Sequence, residues 1–441
     1  MTANEFLGLV MLALMIGVIF LGFPISFTLL FLALAFGWIG LGTMVFDLAY
    51  FQTLGLMKEE VLAAVPLFIF MGYLTEQSGL MERLFQAFRD LLAPVRGSLY
   101  LVVILTATVF AMATGIVGAA VTVLGIMAAP VMMKAKYDSR LSAGAIAAGG
   151  TLGILIPPSV MLIVMGPVIG VSVTKLYAAS FGPGFLLAGS YIVYTLVRSF
   201  INPKLGPAVP AHERRESLWA MILEVVVGIV PLTALITTTL GTILAGMATP
   251  TEAAAVGSTG AFLLSAAYRR LTWNGLRTAM IKTLTTSSMV LFLAVTSNVF
   301  GAVFARLGTA SVITNALLAL PVPPFVMLIL VMAIIFVLGW PFEWPAIILV
   351  FLPILYPVVE ALKFNPLWFG ALIAVNLQTA FLSPPVAMSA YYLKQVVPQW
   401  NLSIIYRGMM DFMVIQVIVL ALCMIFPEIV LWFPAFLEAR Q

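Results

Sequence analysis

A chain of 441 residues, 63% hydrophobic and 9% charged, with a mean hydropathy of +1.16, has too little polar surface for a soluble protein and reads as an integral membrane protein. Its formal charge of +4 is modest and gives no argument for a nucleic-acid partner. One cysteine, Cys423, excludes an internal disulfide, and one histidine, His212 in the polar loop PAVPAHERRES, leaves no basis for a transition-metal site.

Long apolar runs, rather than alternating ten-residue strands, predict an all-α polytopic fold and not a barrel. The opening MTANEFLGLV has no basic n-region and no clear cleavage site, so it reads as a first membrane helix. In chain order the apolar segments are 4–22, 23–45 (broken at GFPIS), 60–77, 98–133 (broken near ATGIVG), 141–168 (broken at ILIPPS) and 182–201. A polar stretch follows, then 218–247, 250–268, 283–306, 324–359 (broken at GWPFEWP), 367–393 (broken at LSPP) and 408–435. A spanning helix needs about 20 residues, so 98–133 and 324–359 are each long enough for two coupled spans or a re-entrant hairpin.

The two halves carry one pattern. Setting Pro157-Pro158 on Pro384-Pro385 also sets PVMMKAKYD (130–138) on PVVEALKFN (357–365) without a gap. GYLTEQSG (72–79) falls on GAVFARLG (301–308), and Pro24 falls near Pro250. The predicted organisation is a first repeat over 1–203, a linker over 204–217 and a second repeat over 218–441. Most Lys and Arg lie in five clusters, around Arg89, Lys136, Arg198 to Arg215, Arg269 to Lys282, and Lys394 to Arg407. If 98–133 and 324–359 each return to the side they came from, all five share one side. The positive-inside rule makes that side the cytoplasm and puts both termini outside. The loop after 60–77 is basic and the one after 283–306 carries no Lys or Arg, which predicts repeats inverted in the membrane.

Inverted repeats, each with a broken helix at depth, are a pattern of secondary transporters. Paired prolines inside an apolar run remove backbone donors and free carbonyls. Such backbone is tolerated at depth where protein or a water-filled cavity meets it. A kink with a purely packing role is the alternative. Around the breaks the first repeat offers Thr114, Gly115, Gly149, Gly150, Thr151, Pro157, Pro158 and Ser159, and the second offers Gly339, Glu343, Asn376, Gln378, Thr379, Ser383 and Pro384. Their hydroxyl, amide and carbonyl oxygens suit sodium, although Ser, Thr and Gly also let helices pack closely. Thr296, Ser297 and Asn298 are further candidates. Glu343 is the intramembrane carboxylate expected at the site, whereas Glu252 in ATPTEAAAVG reads as a helix-start or ion-pair residue. With no Lys or Arg deep in either broken region, an anion would rely on bound sodium, backbone amides and hydroxyls.

With these motifs in place, the chain closely resembles the large membrane subunit of tripartite ATP-independent periplasmic (TRAP) transporters, the DctM-like family. The resemblance rests on VPLFIFMGYLTEQSG (65–79), ATGIVGAAV (113–121), GAIAAGGTLGILIPPS (144–159), GMATPTEAAAVG (246–257), GWPFEWPAI with PILYP (339–357) and LSPP (382–385), in this order. It implies a sodium-driven importer of small organic acids in the bacterial cytoplasmic membrane, with no enzymatic step and no cofactor beyond Na⁺ as coupling ion. It also implies an elevator-type architecture, a separate small four-helix membrane subunit (Q type) and a soluble periplasmic solute-binding protein (P type). By the same match one hairpin tip lies at Thr114-Gly115 and the other at Gly339 to Glu343. Many relatives have Ser-Gly-Ser where this chain has Thr114-Gly115-Ile116, and Asp where it has Glu343. Thr-Gly at the first tip, with Trp340 and Trp344 flanking Glu343, points by resemblance to small keto- or hydroxy-acids. The runner-up is a stand-alone Na⁺- or H⁺-coupled carboxylate carrier.

Overall fold

The computed structural model describes residues 1–208 and 218–439; His212, Arg214 and Arg215 of the linker lie outside them. Among the described residues every regular element is helical. Among the described residues, seven helices are long and apolar enough to cross a membrane, or up to nine if each bent pair counts as one span.

α1 (Ala3–Phe20) opens on a capping box in which Thr2 and Glu5 satisfy each other's backbone N–H groups. α2 (Ile25–Leu41) and α3 (Met44–Met57) follow, then a 3₁₀ turn leads into α4 (Ala64–Gln77). α5 (Leu80–Leu92) buries Leu80, Met81, Leu84, Phe85 and Phe88 on one face and leaves Arg83 and Gln86 exposed on the other. α6 (Ser98–Thr114) and α7 (Val117–Lys134) form one pair, α8 (Ser139–Leu155) and α9 (Val160–Ile169) the broken helix after it, and α10 (Val173–Ile201) closes the half.

The second half runs α11 (Leu218–Ile236), a π turn, α12 (Thr242–Leu244), α13 (Pro250–Ala267), α14 (Trp273–Arg306) and α15 (Thr309–Leu318). α16 (Pro324–Leu338) is followed by α17 (Trp344–Ala346), which continues through a π turn into α18 (Leu352–Ala361) as one 18-residue helix. α19 (Pro366–Leu377) ends in a 3₁₀ turn (Gln378–Phe381), and α20 (Met388–Val396), α21 (Leu402–Ile425) and α22 (Glu428–Glu438) complete the chain.

Where the sequence suggested one segment over 408–435, the helix stops at Ile425 and restarts at Glu428, because Pro427 cannot continue the hydrogen-bond ladder. The segment placed at 182–201 begins earlier, at Val173. α3, α5 and α15 had no counterpart among the apolar segments. α5 is too amphipathic and α15 too short to stand out by hydropathy, and α3 follows α2 after a short turn with no proline to mark it.

Paired positions of the two halves share backbone features. Lys136 and Lys363 both take positive φ, 58° and 59°. Asp138 caps α8 by accepting from Leu141 N at 2.8 Å, and Asn365 caps α19 by accepting from Leu367 N at 2.9 Å. The Pro157-Pro158 and Pro384-Pro385 bonds are both cis. The helices that begin at Pro24 and Pro250 each pack on a helix of the opposite half, α2 on α14 and α13 on α4.

Packing gathers the helices into two groups. α1 to α5 and α11 to α15 form one, and α6 to α10 with α16 to α22 the other. In the first group, Thr251, Ser258 and Ser265 stand seven residues apart along α13. They donate to the carbonyls of Glu60, Leu67 and Leu74 at 3.0, 2.7 and 3.0 Å. Two helical turns separate successive rungs, so one face of α13 is fixed along its length against α4 and the 3₁₀ turn before it. In the second group α8 and α21 cross at Gly144 and Gly408. A Cβ on Gly408 would collide with the Arg140 carbonyl oxygen, and one on Gly144 would stand 2.5 Å from the Gly408 oxygen. Only glycine permits that approach.

Candidate functional site

The seam between the two groups holds a cavity of about 140 Å³. Ile69 of α4 and Thr286, Met289 and Val290 of α14 line one side. The other is built from the breaks: Gly115 to Gly118 at the α6–α7 turn, and Glu343 to Pro345 at the α16–α17 turn.

Four helices begin at this cavity. Val117 and Gly118 open α7, Val160 and Met161 open α9, Trp344 and Pro345 open the helix running to Ala361, and Met388 opens α20. None of the four has a side-chain cap on its first turn. The first-turn N–H groups of a helix lack partners within it and carry the positive end of its dipole. Four such ends around one small cavity can offer uncharged donors to an anion.

Glu343 supplies the opposite sign. It is exposed, and among the described residues no cation lies within ion-pair distance of its carboxylate. Tyr392 reaches the cavity from α20 and lies against Gly118, where a Cβ would stand 3.0 Å from its ring.

Oxygen atoms gather behind the first turn. Gly115 takes φ +62°, and a Cβ on it would stand 3.0 Å from the Pro158 carbonyl oxygen and 3.8 Å from that of Gly153. Among the described residues no backbone hydrogen bond reaches the Pro158 oxygen. The matching carbonyl of Pro385 accepts from Tyr406 Oη at 3.2 Å, so the two breaks differ.

Of the residues expected at the site, Gly115 and Glu343 line the cavity and the others do not. The hydroxyls of Thr114, Thr151 and Thr379 donate to Phe110, Ala148 and Asn376 carbonyls at 3.1, 2.8 and 2.7 Å. Ser159 and Ser383 donate likewise to Ile154 and Thr379. Each spends its proton on its own chain and keeps lone pairs that can accept a cation. Gly150 packs against Val121 and Gly339 against Ala380. Pro157 and Pro158 are buried, whereas Pro384 is exposed. Asn376 turns to α16, donating to the Met332 oxygen at 2.8 Å, and its Oδ1 and both polar atoms of Gln378 are buried without a partner.

Thr296, Ser297 and Asn298 are not brought to the cavity. Thr296 bonds the Leu293 carbonyl at 3.1 Å and Asn298 bonds the Gln52 carbonyl at 3.1 Å, tying α14 to α3. Glu252 closes a capping box with Thr249 at the start of α13, a helix-start role. Sequence reasoning missed Gly118, Thr286 and Tyr392. Thr286 had a signal, since it shares a helix face with Val290, but Tyr392 comes from a segment whose direction depends on the break before it.

A family model described as "Tripartite ATP-independent periplasmic transporter, DctM component" matches residues 12–429. The chain is 33% identical over 426 residues to the sialic acid TRAP transporter large permease protein SiaM of Vibrio cholerae, covering 95% of this chain and 96% of that one. It is 28% identical over 405 residues to the C4-dicarboxylate TRAP transporter large permease protein DctM of Rhodobacter capsulatus, covering 87% and 89%. Its fold is similar to the crystal structure of the Alcanivorax borkumensis YdaH transporter, with a TM-score of 0.63 at 16% identity over 86% of this chain and 87% of that one.

Proposed function

The chain belongs to the DctM component family of tripartite ATP-independent periplasmic transporters, and from that premise we propose that it moves a small organic anion inward across the bacterial cytoplasmic membrane, driven by sodium. The observation that carries this reading is the meeting of four uncapped helix starts with the Glu343 carboxylate in one cavity.

Electrostatics then calls for a cation. Two like charges about 5 Å apart repel by about 3 kcal/mol at an effective dielectric of about 20, which takes up most of what four helix starts return at about 0.3–1 kcal/mol each. A cation held by Glu343 and the neutral oxygens behind the breaks removes that penalty, so anion and cation bind together. Carbonyl, hydroxyl and amide oxygens suit sodium. The cavity holds about four or five waters' volume, which favours a small keto- or hydroxy-acid among the acids such relatives carry.

Alternating access follows from the two helix groups. The group bearing the breaks slides as an elevator against the group of α1 to α5 and α11 to α15, in repeats inverted across the membrane. The basic clusters then face the cytoplasm and both termini the periplasm. A small four-helix membrane subunit packs on the static group, and a soluble binding protein delivers the anion.

Uptake of labelled small organic acids into proteoliposomes holding this chain and its small partner tests the reading. Uptake that needs both an inward Na⁺ gradient and the binding protein supports it. Equal uptake without the binding protein would establish a stand-alone carrier instead.

A further inference from the structure

A polar path leaves the cavity along α4 and α14. Thr286 lines the cavity, and its Oγ1 lies 3.3 Å from the Tyr73 hydroxyl. Tyr73 stands one turn beyond the cavity-lining Ile69 on α4, and its ring carries the Lys282 ammonium 5.3 Å from its centroid. Lys282 stands one turn before Thr286 on the same face of α14. Tyr392 lines the cavity together with Glu343 at the inner end of the path. The order is therefore Glu343 and Tyr392 at the cavity, Tyr73 with Thr286, then Lys282.

Beyond Glu343, each group on this path can donate to a carboxylate, and the last is charged. Lys282 is exposed, and among the described residues it has no ion-pair partner within 4.0 Å. The ring beneath it holds the ammonium by a cation–π contact without using its donors. Glu76, near Tyr73 on α4, also feels Lys282, which limits how tightly an anion is kept there.

We infer that Lys282 receives the departing organic anion, with Tyr73 and Thr286 as the hydroxyl step between it and the cavity. Lys282 is thus a positioning residue for release, on the face that carries the basic clusters. This rests on the transport reading above. An anion leaving the helix starts and its sodium ion meets a hydroxyl pair before bulk water, and then a point charge that draws it outward.

The test is exchange in proteoliposomes holding the chain and its small partner, with binding protein outside only and substrate at graded concentrations inside. Lys282→Gln should raise the internal half-saturation about tenfold and leave the external one within about twofold. Lys282→Arg should restore it, and Tyr73→Phe should raise it several-fold. Added internal salt should weaken the wild type and leave Lys282→Gln unmoved. An unshifted internal half-saturation, equal shifts on both sides, or no rescue by arginine would overturn the inference. Wild-type vesicles that take up no organic anion would overturn the transport reading, and this one with it.

Discussion

The Pro158 carbonyl oxygen stands 3.0 Å from where a Cβ on Gly115 would lie, so the turn between α6 and α7 is seated on the broken helix with no room for a side chain. Gly115 also takes φ +62°, which costs an L-residue roughly 1–2 kcal/mol. Gly115→Ala is therefore expected to lower uptake at least about tenfold, while the purified protein keeps its helical content by circular dichroism. Unchanged uptake would separate this turn from the site.

Glu343 is a cavity carboxylate with no cation beside it among the described residues. Glu343→Gln should raise the sodium concentration for half-maximal uptake about tenfold or more, because about 3 kcal/mol of attraction is at stake. Glu343→Asp, shorter by one methylene, should shift it less. Sodium titrations of uptake distinguish the two variants.

The α4–α13 ladder predicts a graded stability response. A side-chain hydrogen bond between membrane helices is worth about 0.6 kcal/mol on average. Ser258→Ala should thus lower the thermal midpoint only slightly, and Ser258→Leu, which forces the helices apart, much more. Thermal unfolding in detergent reads the difference.

At the α8–α21 crossing, Gly408→Ala should destabilise by about 1–3 kcal/mol or more, since the added methyl meets backbone. Because Gly408 does not line the cavity, the loss should appear as a lower thermal midpoint first. Surviving protein should keep its sodium half-saturation.

The helical class, the breaks and the seating of Gly115 and Glu343 were legible because hydropathy, proline pairs and an intramembrane acid are local signals. The convergence of Val117, Val160, Trp344 and Met388 was not. Each is apolar, and its part in the site lies in a backbone N–H that any residue but proline supplies. Tyr73 and Lys282 were invisible for another reason: their role depends on how α4 and α14 face one another, which no spacing within either segment reveals. Asn298 bonds the Gln52 carbonyl away from the cavity, since an amide in an apolar helix serves packing as readily as binding.

The most direct test of the central claim is equilibrium binding of a labelled small carboxylate to the purified chain with its small partner, across a sodium titration. Affinity should rise with sodium, sodium affinity should rise equally with the carboxylate, and the neutral amide analogue should not bind. Binding that ignores sodium, or that accepts the amide as well as the acid, would contradict it.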